Sequence, residues 1–181
     1  MSSLEIRPVR SSDAAELADL INALIAIGGT TALEDPFTPE QLDHTYLTGP
    51  EVFCCNVAVD RETGRLEGFQ TIVREISFEE GWADIGTWAR VDGKQRGVGS
   101  ALFEAGCERA RELGLTTLIA TIRADNTGGL IFYDKLGFDD CGVLKGETLK
   151  DGTPVDKIQR RYSLQPLSIA TSLSAGSQMN A

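Results

Sequence analysis

The segment with the most chemical content runs Thr87-Trp88-Ala89-Arg90-Val91-Asp92-Gly93-Lys94-Gln95-Arg96-Gly97-Val98-Gly99-Ser100-Ala101-Leu102. A strand-like run passes through a short loop and directly into an amphipathic stretch. Gly97 and Gly99 leave backbone N–H groups unobstructed at the start of that stretch, where a helix's unpaired donors and positive dipole end favour a phosphate. Lys94 and Arg96, on either side of Gln95, add positive charge. The loop is not a nucleotide P-loop, because the Gly-Lys-Ser/Thr ending is missing. The dinucleotide fingerprint also fails, because Leu102 stands where a third glycine would be needed. On these residues alone, a tight packed turn is the competing explanation.

Other chemistries are less well represented. The four cysteines, Cys54, Cys55, Cys107 and Cys141, include no C-x-x-C pair, and the single histidine, His44, is remote from them in sequence, so no metal site is expected. Adjacent Cys54 and Cys55 in a strand-like run point to opposite faces, which predicts reduced, partly buried thiols. The net charge of -10 argues against a nucleic-acid partner. That charge is uneven: residues 1 to 92 hold 17 acidic and 6 basic side chains, and the remainder 10 and 11. An anionic cofactor in the second half fits the division, as does an acidic surface kept for solubility. The longest unbroken apolar run, Ala23 to Ile27, is five residues, so no membrane partner is expected. The opening MSSLEIRPVR carries charges and a proline where a secretory signal needs apolar residues, which predicts a cytoplasmic protein.

The elements that position the loop follow from periodicity. At 181 residues the chain is expected to form one domain over residues 1–164, followed by a Ser/Ala-rich tail over 165–181. Leu4 to Arg10 reads as a short edge strand. Ser12 is a candidate N-cap for a helix through Ile27, which Gly28 and Gly29 end. Thr38-Pro39-Glu40-Gln41 carries the signature of a capping box with proline at the first helical position, so a second helix follows. Val52 to Val59 and Leu66 to Ile76 read as a hairpin, and Trp82 to Val91 as the next strand. A helix from Gly97 to Leu113, a buried strand from Thr116 to Ile122 and a helix from Asn126 to Leu136 come next. Asp139 to Leu149 and Thr153 to Leu164 flank an Asp-Gly turn and form the last two strands. The order predicts an α+β layered fold, a mixed sheet of about seven strands flanked by about four helices.

Lys94-Gln95-Arg96-Gly97-Val98-Gly99 resembles the pyrophosphate loop of the GNAT superfamily of acyl-CoA N-acyltransferases, Gln/Arg-x-x-Gly-x-Gly/Ala, with lysine at the first position as a mild departure. Downstream, Asn126-Thr127-Gly128-Gly129-Leu130-Ile131-Phe132-Tyr133-Asp134-Lys135-Leu136-Gly137-Phe138 looks like the family's Asn-x-x-Ala/Gly-x-x-x-Tyr-x-x-x-Gly-Phe segment. The resemblance covers about residues 4 to 164. It implies the GNAT fold, acetyl-CoA as the acyl donor, no metal, and direct attack by a primary amine without an acyl-enzyme. Cys107, lying within a helix pattern, is then not a nucleophile.

Carried over residue by residue, the resemblance implies that the main chain of Thr87, Trp88 and Ala89 binds pantetheine and the thioester carbonyl. Lys94, Gln95, Arg96, Gly97, Val98, Gly99 and Ser100 then hold the pyrophosphate, with Asn126 and Lys135 as supporting contacts. Trp88 fits equally as a core residue and Asn126 as a helix cap. Tyr133 occupies the position from which family members protonate the departing thiolate. A tyrosine of ordinary pKa near 10 can donate to a thiolate whose conjugate acid is near 8.5. The phosphinothricin-type and L-amino-acid branch carries a glutamate where this chain has Asp84. A carboxylate one methylene shorter suits a base acting through a water, with Glu79 and Glu80 as rivals and a structural role as the alternative. Ile85, Gly86 and the loop carboxylate Glu34, beside Asp35, are the candidate acceptor contacts. The branch implies a small-molecule amine acceptor and, by family habit, a homodimer. A protein amine as acceptor, or a non-catalytic acyl-CoA sensor, are the other readings.

Overall fold

The computed structural model describes residues 3–93 and 96–164. Seven strands form one sheet in the order β1-β2-β3-β4-β5-β7-β6. They are β1 (Leu4–Pro8), β2 (Val52–Asp60), β3 (Leu66–Val73), β4 (Trp82–Ala89), β5 (Thr117–Arg123), β6 (Asp139–Thr148) and β7 (Pro154–Ser163). Only β4 and β5 run parallel; every other neighbouring pair is antiparallel. The helices are α1 (Ala14–Ile27), α2 (Pro39–Leu42), α3 (Val98–Glu112) and α4 (Thr127–Lys135). The expected layered α+β architecture is therefore present.

The alternation of side chains along the strands builds two cores. On one face Leu17, Ile21, Leu42, Val57 and Phe69 pack between the sheet and α1–α2. On the other, Ile72, Ile85, Phe103, Leu118 and Phe138 pack beneath α3 and α4. Cys54 joins the second core and Cys55 the first, so the adjacent thiols do face opposite ways. All four cysteines are free. β3 is buried along its whole length, which explains its run of apolar residues.

Four boundaries differ from expectation, each for a local reason. Ser12 does not cap α1. Ser11–Asp13 form a 3-10 turn, in which the Asp13 carboxylate accepts from the Arg10 amide at 2.8 Å and pairs with Arg7 at 2.7 Å. Arg7 in turn holds the Asp13 carboxyl below its usual range. The helix opened by the Thr38 capping box lasts one turn, then widens into a π-turn over Asp43–Leu47, with the Thr48 amide reaching back to the Asp43 carbonyl at 2.9 Å. β3 and β4 stop short of Ile76 and Val91, which are 90% and 69% exposed in the flanking turns. The tail over 165–181 lies outside the described residues.

Candidate active site

The parallel pair is short. β4 meets β5 only over Trp82–Asp84 against Thr117–Ile119. Beyond Asp84, β4 continues paired to β3 alone and β5 paired to β7 alone, so the two strands part. The Arg90 amide donates to the Glu67 carbonyl at 2.9 Å, which fixes the phase of the β3–β4 ladder. Even-numbered β4 residues therefore turn their backbone polar groups toward β3, while Ile85, Thr87 and Ala89 turn theirs into the gap. A cavity of about 590 Å³ occupies this gap. Unpaired strand groups there can add an extended, amide-bearing ligand as if it were another strand.

The gap opens toward the start of α3. Gly97 caps that helix at φ 80°, a left-handed conformation that favours glycine, and the Ala101 amide makes the first helical bond to the Gly97 carbonyl at 3.0 Å. The amides of Val98, Gly99 and Ser100 precede any helical acceptor and are free to bind an anion. Gly99 lines the cavity. It also lets α3 approach α4, because a Cβ there would lie 2.6 Å from the Phe132 ring. The Val98 side chain is core, packed with Leu4, Ala58 and Leu102. Ser100 and Arg96 are exposed beside the helix start, and Lys94 and Gln95 lie outside the described residues.

Two titratable groups border the point where the strands part, one on each face of β4. Tyr133 projects from α4 on the α3–α4 side, buried, with its hydroxyl 3.4 Å from the Ile85 carbonyl and 3.3 Å from Thr87 Oγ1. Burial pushes its phenol well above the ordinary range, so it is a proton donor at any physiological pH. Asp84 is on the opposite face, in register with Gly86 and Trp88. It makes no hydrogen bond or ion pair with another described residue. Burial, and secondarily the negative charge of Glu75, push its carboxyl up to about 7. A carboxylate that gives up its proton near neutrality is matched to general-base work.

Trp88 belongs to the same face. Its indole stacks on Phe69 with centroids 4.9 Å apart and meets Tyr46 at 5.7 Å. It folds back over Gly86, where a Cβ would lie 2.3 Å from Trp88 Cη2. The main-chain contact expected of Trp88 is corrected by the ladder, since its amide and carbonyl point toward β3. What Trp88 offers the cavity is its ring.

Other expected contacts fall elsewhere. Glu34 accepts from the Lys150 amide at 3.0 Å and Asp35 pairs with the Lys150 ammonium, so both carboxylates fasten their loop to the β6–β7 turn and neither lines the cavity. Lys135 is the last residue of α4, about 13 Å along the axis from Asn126 at 1.5 Å per residue, and is exposed away from the gap. Glu79 and Glu80 line a separate depression with Phe53 and Trp82. Asn126 is a helix cap that also reaches the cavity. Its Oδ1 accepts from the Gly129 amide at 2.9 Å as a cap, and it lines the cavity.

Sequence reasoning missed Tyr46, Arg123 and Lys157, which also line the cavity. The π-turn aims Tyr46 at Trp88, and burial and the Asp84 charge raise its phenol. Arg123 and Lys157 are register partners on β5 and β7, so a cation pair forms only once the sheet does. Asn126 also donates from Nδ2 to the Thr30 carbonyl at 3.0 Å, tying the wall loop Thr30–Leu33 to α4. Asn126→Ser keeps a capping oxygen but cannot reach that carbonyl. It should raise the acceptor KM about 3-fold to 10-fold, the equivalent of one hydrogen bond, with a melting temperature near wild type; steady-state kinetics and a thermal melt check both.

Comparison with known proteins agrees with this geometry. Residues 3–139 match the family described as the acetyltransferase (GNAT) domain. An L-methionine sulfoximine/L-methionine sulfone acetyltransferase of Pseudomonas aeruginosa is 29% identical over 145 residues, covering 78% of this chain and 84% of its own. YwnH of Bacillus subtilis (strain 168), provisionally named a phosphinothricin acetyltransferase, is 26% identical over 167 residues, covering 91% and 97%. The crystal structure of a phosphinothricin acetyltransferase from Sinorhizobium meliloti in complex with acetyl-CoA superposes with a TM-score of 0.74 at 18% identity, covering 94% of this chain and 96% of that one. With the family match spanning most of its length and the parted strands leading to an open helix N-terminus, the chain belongs to the GNAT acetyltransferase family and is an acetyl-CoA-dependent N-acetyltransferase.

Proposed function

We propose that the enzyme acetylates the primary amine of a small, amino-acid-like molecule by direct attack in a ternary complex, with Asp84 as the base and Tyr133 as the acid. The observation that carries this reading is the position of an unpaired carboxylate and a buried phenol on opposite faces of one strand, at the point where β4 and β5 part. The backbone groups of Thr87 and Ala89 bind the pantetheine arm and thioester carbonyl, and the amides of Gly97, Val98, Gly99 and Ser100 take the pyrophosphate, with Lys94, Gln95 and Arg96 adding charge and polarity.

On the acceptor side, Gly86, Trp88 and Tyr46 form an apolar and aromatic wall on the Asp84 face of β4, while Ile85 borders the cavity from the opposite face. Arg123 and Lys157 line the same cavity, Arg123 held in a two-point ion pair by Asp125 and Lys157 paired with Glu147, so an acceptor carboxylate there shares cations that already have acidic partners. An ammonium beside Asp84 and a carboxylate toward the two cations describe a zwitterion. The names of the relatives, methionine sulfoximine and phosphinothricin acetyltransferases, agree with that class. The wall loop favours a small acceptor over a peptide. It is tied by Asn126 at Thr30, by Lys150 at Glu34, and by Asn22, which exchanges hydrogen bonds of 2.9 and 2.8 Å with Phe37.

Asp84 collects the ammonium proton, directly or through one water, and leaves the nitrogen lone pair free. Main-chain dipoles on β4 stabilise the negative charge that builds on the thioester oxygen during attack. Tyr133 then gives its proton to sulfur. Free thiols suit a reducing, cytoplasmic setting. The exposed β6 edge, with Val143 and Leu144 49% and 38% exposed, suits a homodimer. No helix among the described residues is long and apolar enough to cross a membrane.

The test is acetyl-CoA-dependent release of free thiol across amino acids, amino-acid analogues, polyamines and peptides. The reading expects turnover confined to small zwitterionic amines. Faster turnover with peptides than with any amino-acid-like amine would overturn it.

A further inference from the structure

Gln70 lies at the middle of β3, beside the central strand β4, and is 2% exposed. Its Nε2 donates to Thr87 Oγ1 at 2.9 Å, but its Oε1 has no hydrogen-bond partner. That oxygen abuts α3 at Gly106, where a Cβ would lie 2.2 Å from it. A buried acceptor left unpaired is destabilising, so stability does not account for a glutamine at 70. The other end of the contact is informative. Thr87 Oγ1 is 3.3 Å from the Tyr133 hydroxyl, whose single proton also has the Ile85 carbonyl within reach at 3.4 Å. Because Gln70 already occupies one lone pair of Thr87 Oγ1, the hydroxyl hydrogen of Thr87 remains to be given. No other described side chain hydrogen-bonds Tyr133.

We propose that Thr87 and Gln70 are positioning residues for proton delivery: Gln70 holds the Thr87 hydroxyl in place, and that hydroxyl donates to the Tyr133 oxygen as Tyr133 gives its proton to the departing sulfur. This rests on Tyr133 being the acid. In the step, the carbon–sulfur bond breaks with its electron pair on sulfur and the Tyr133 proton moves to that sulfur. The charge left on the phenolate oxygen is met by the Thr87 O–H. Asp84 and solvent carry away the protons lost by the acceptor nitrogen, and Tyr133 is reprotonated from water after the products leave.

Such a donor is needed because of what faces Tyr133. Burial disfavours its phenolate, and the Asp84 carboxylate on β4 disfavours it further. From α3 and β7 the groups in the same core are Cys107 and Tyr162, with Cys54 from β2, and none brings positive charge. The Thr87 amide also acts on the phenol, but in the proposed ternary complex it is taken up by the pantetheine arm and thioester. Thr87 is therefore the group placed to compensate the charge.

A double-mutant cycle tests this. Thr87→Val, which keeps the shape and removes the hydroxyl, should lower kcat about 10-fold to 100-fold, as expected for loss of a hydrogen bond to a charged group, with acetyl-CoA KM near wild type and a melting temperature lowered by a few degrees, because the buried Gln70 Nε2 loses its acceptor. Thr87→Ser should restore most of the rate. In a Tyr133→Phe background, Thr87→Val should have no further effect. Gln70→Met reaches the same contact from the other side and should give a slower enzyme that is at least as stable, because it removes an unpaired buried oxygen. An undiminished effect of Thr87→Val in the Tyr133→Phe background, or a serine variant as slow as the valine one, would overturn the positioning role while leaving Tyr133 as the acid. Wild-type kcat in Tyr133→Phe alone would overturn the acid assignment and this proposal with it.

Discussion

Replacing Tyr133 with phenylalanine lowers kcat by about 100-fold to 10,000-fold, the usual worth of a positioned acid, while acetyl-CoA affinity stays close to wild type. The ring remains wedged among Phe132 and Phe138, with centroids 5.0 and 4.9 Å away, so the packing of α4 survives the substitution. The lost hydroxyl makes only the two long contacts to Ile85 and Thr87 in the free enzyme. Its value lies in the step that expels sulfur. Calorimetric titration of acetyl-CoA and steady-state kinetics on the same preparation separate binding from turnover.

Asp84→Asn produces two opposite changes. Near neutral pH kcat/KM falls, because the ammonium keeps its proton. The loss shrinks as pH rises and free amine accumulates without help. Stability moves the other way. The Asp84 carboxyl titrates at about 7 in the folded chain and near 3.9 when unfolded. Below pH 4 both states hold the proton and the residue is neutral in its effect. Between pH 4 and 7 the unfolded chain releases the proton first, so folding loses stability progressively, reaching up to about 4 kcal/mol above pH 7. The asparagine variant escapes that loss. It should melt roughly 5 °C or more above wild type at pH 8, with the difference vanishing by pH 4. Paired melts across this range read the effect directly. A structural aspartate would give the reverse: asparagine less stable at pH 8 and kinetically silent.

How far these residues were legible in the sequence depends on whether the signal is local. The Gly97-Val98-Gly99 loop, the Asn126 cap and Tyr133 seven residues beyond it are properties of a helix start and a helix period, and they read correctly as a glycine-opened helix start, a side-chain cap and a helical tyrosine. The Thr38 capping box read equally well, although nothing local announced that its helix would widen into a π-turn and aim Tyr46 at Trp88. The parting of β4 and β5 is set by which strands share a sheet, and no window of sequence contains it. Arg123 and Lys157 were missed for the same reason, since their register across β5 and β7 brings them together. Glu34 shows the converse error. As an acidic loop residue it looked like an ammonium ligand, but its partner, the Lys150 amide, is 116 positions away and holds it outside the cavity. Ser12 lost the helix start to Asp13 because Arg7, on the neighbouring strand, favours a carboxylate there.

Direct transfer, without an acyl-enzyme, is the centre of this account, and the cysteines agree with it. Burial pushes Cys54 and Cys107 up to about 11, and no cysteine lines the cavity. The most direct test is a rapid-mixing measurement of free CoA thiol when acetyl-CoA meets the enzyme at comparable concentration, first alone and then with a zwitterionic amine at saturating concentration. No thiol release above slow background hydrolysis is expected until the amine is added, after which release should be stoichiometric with acetylated product. A burst of thiol equal to the enzyme concentration in the absence of amine would contradict the account, because it would require a covalent acetyl-enzyme.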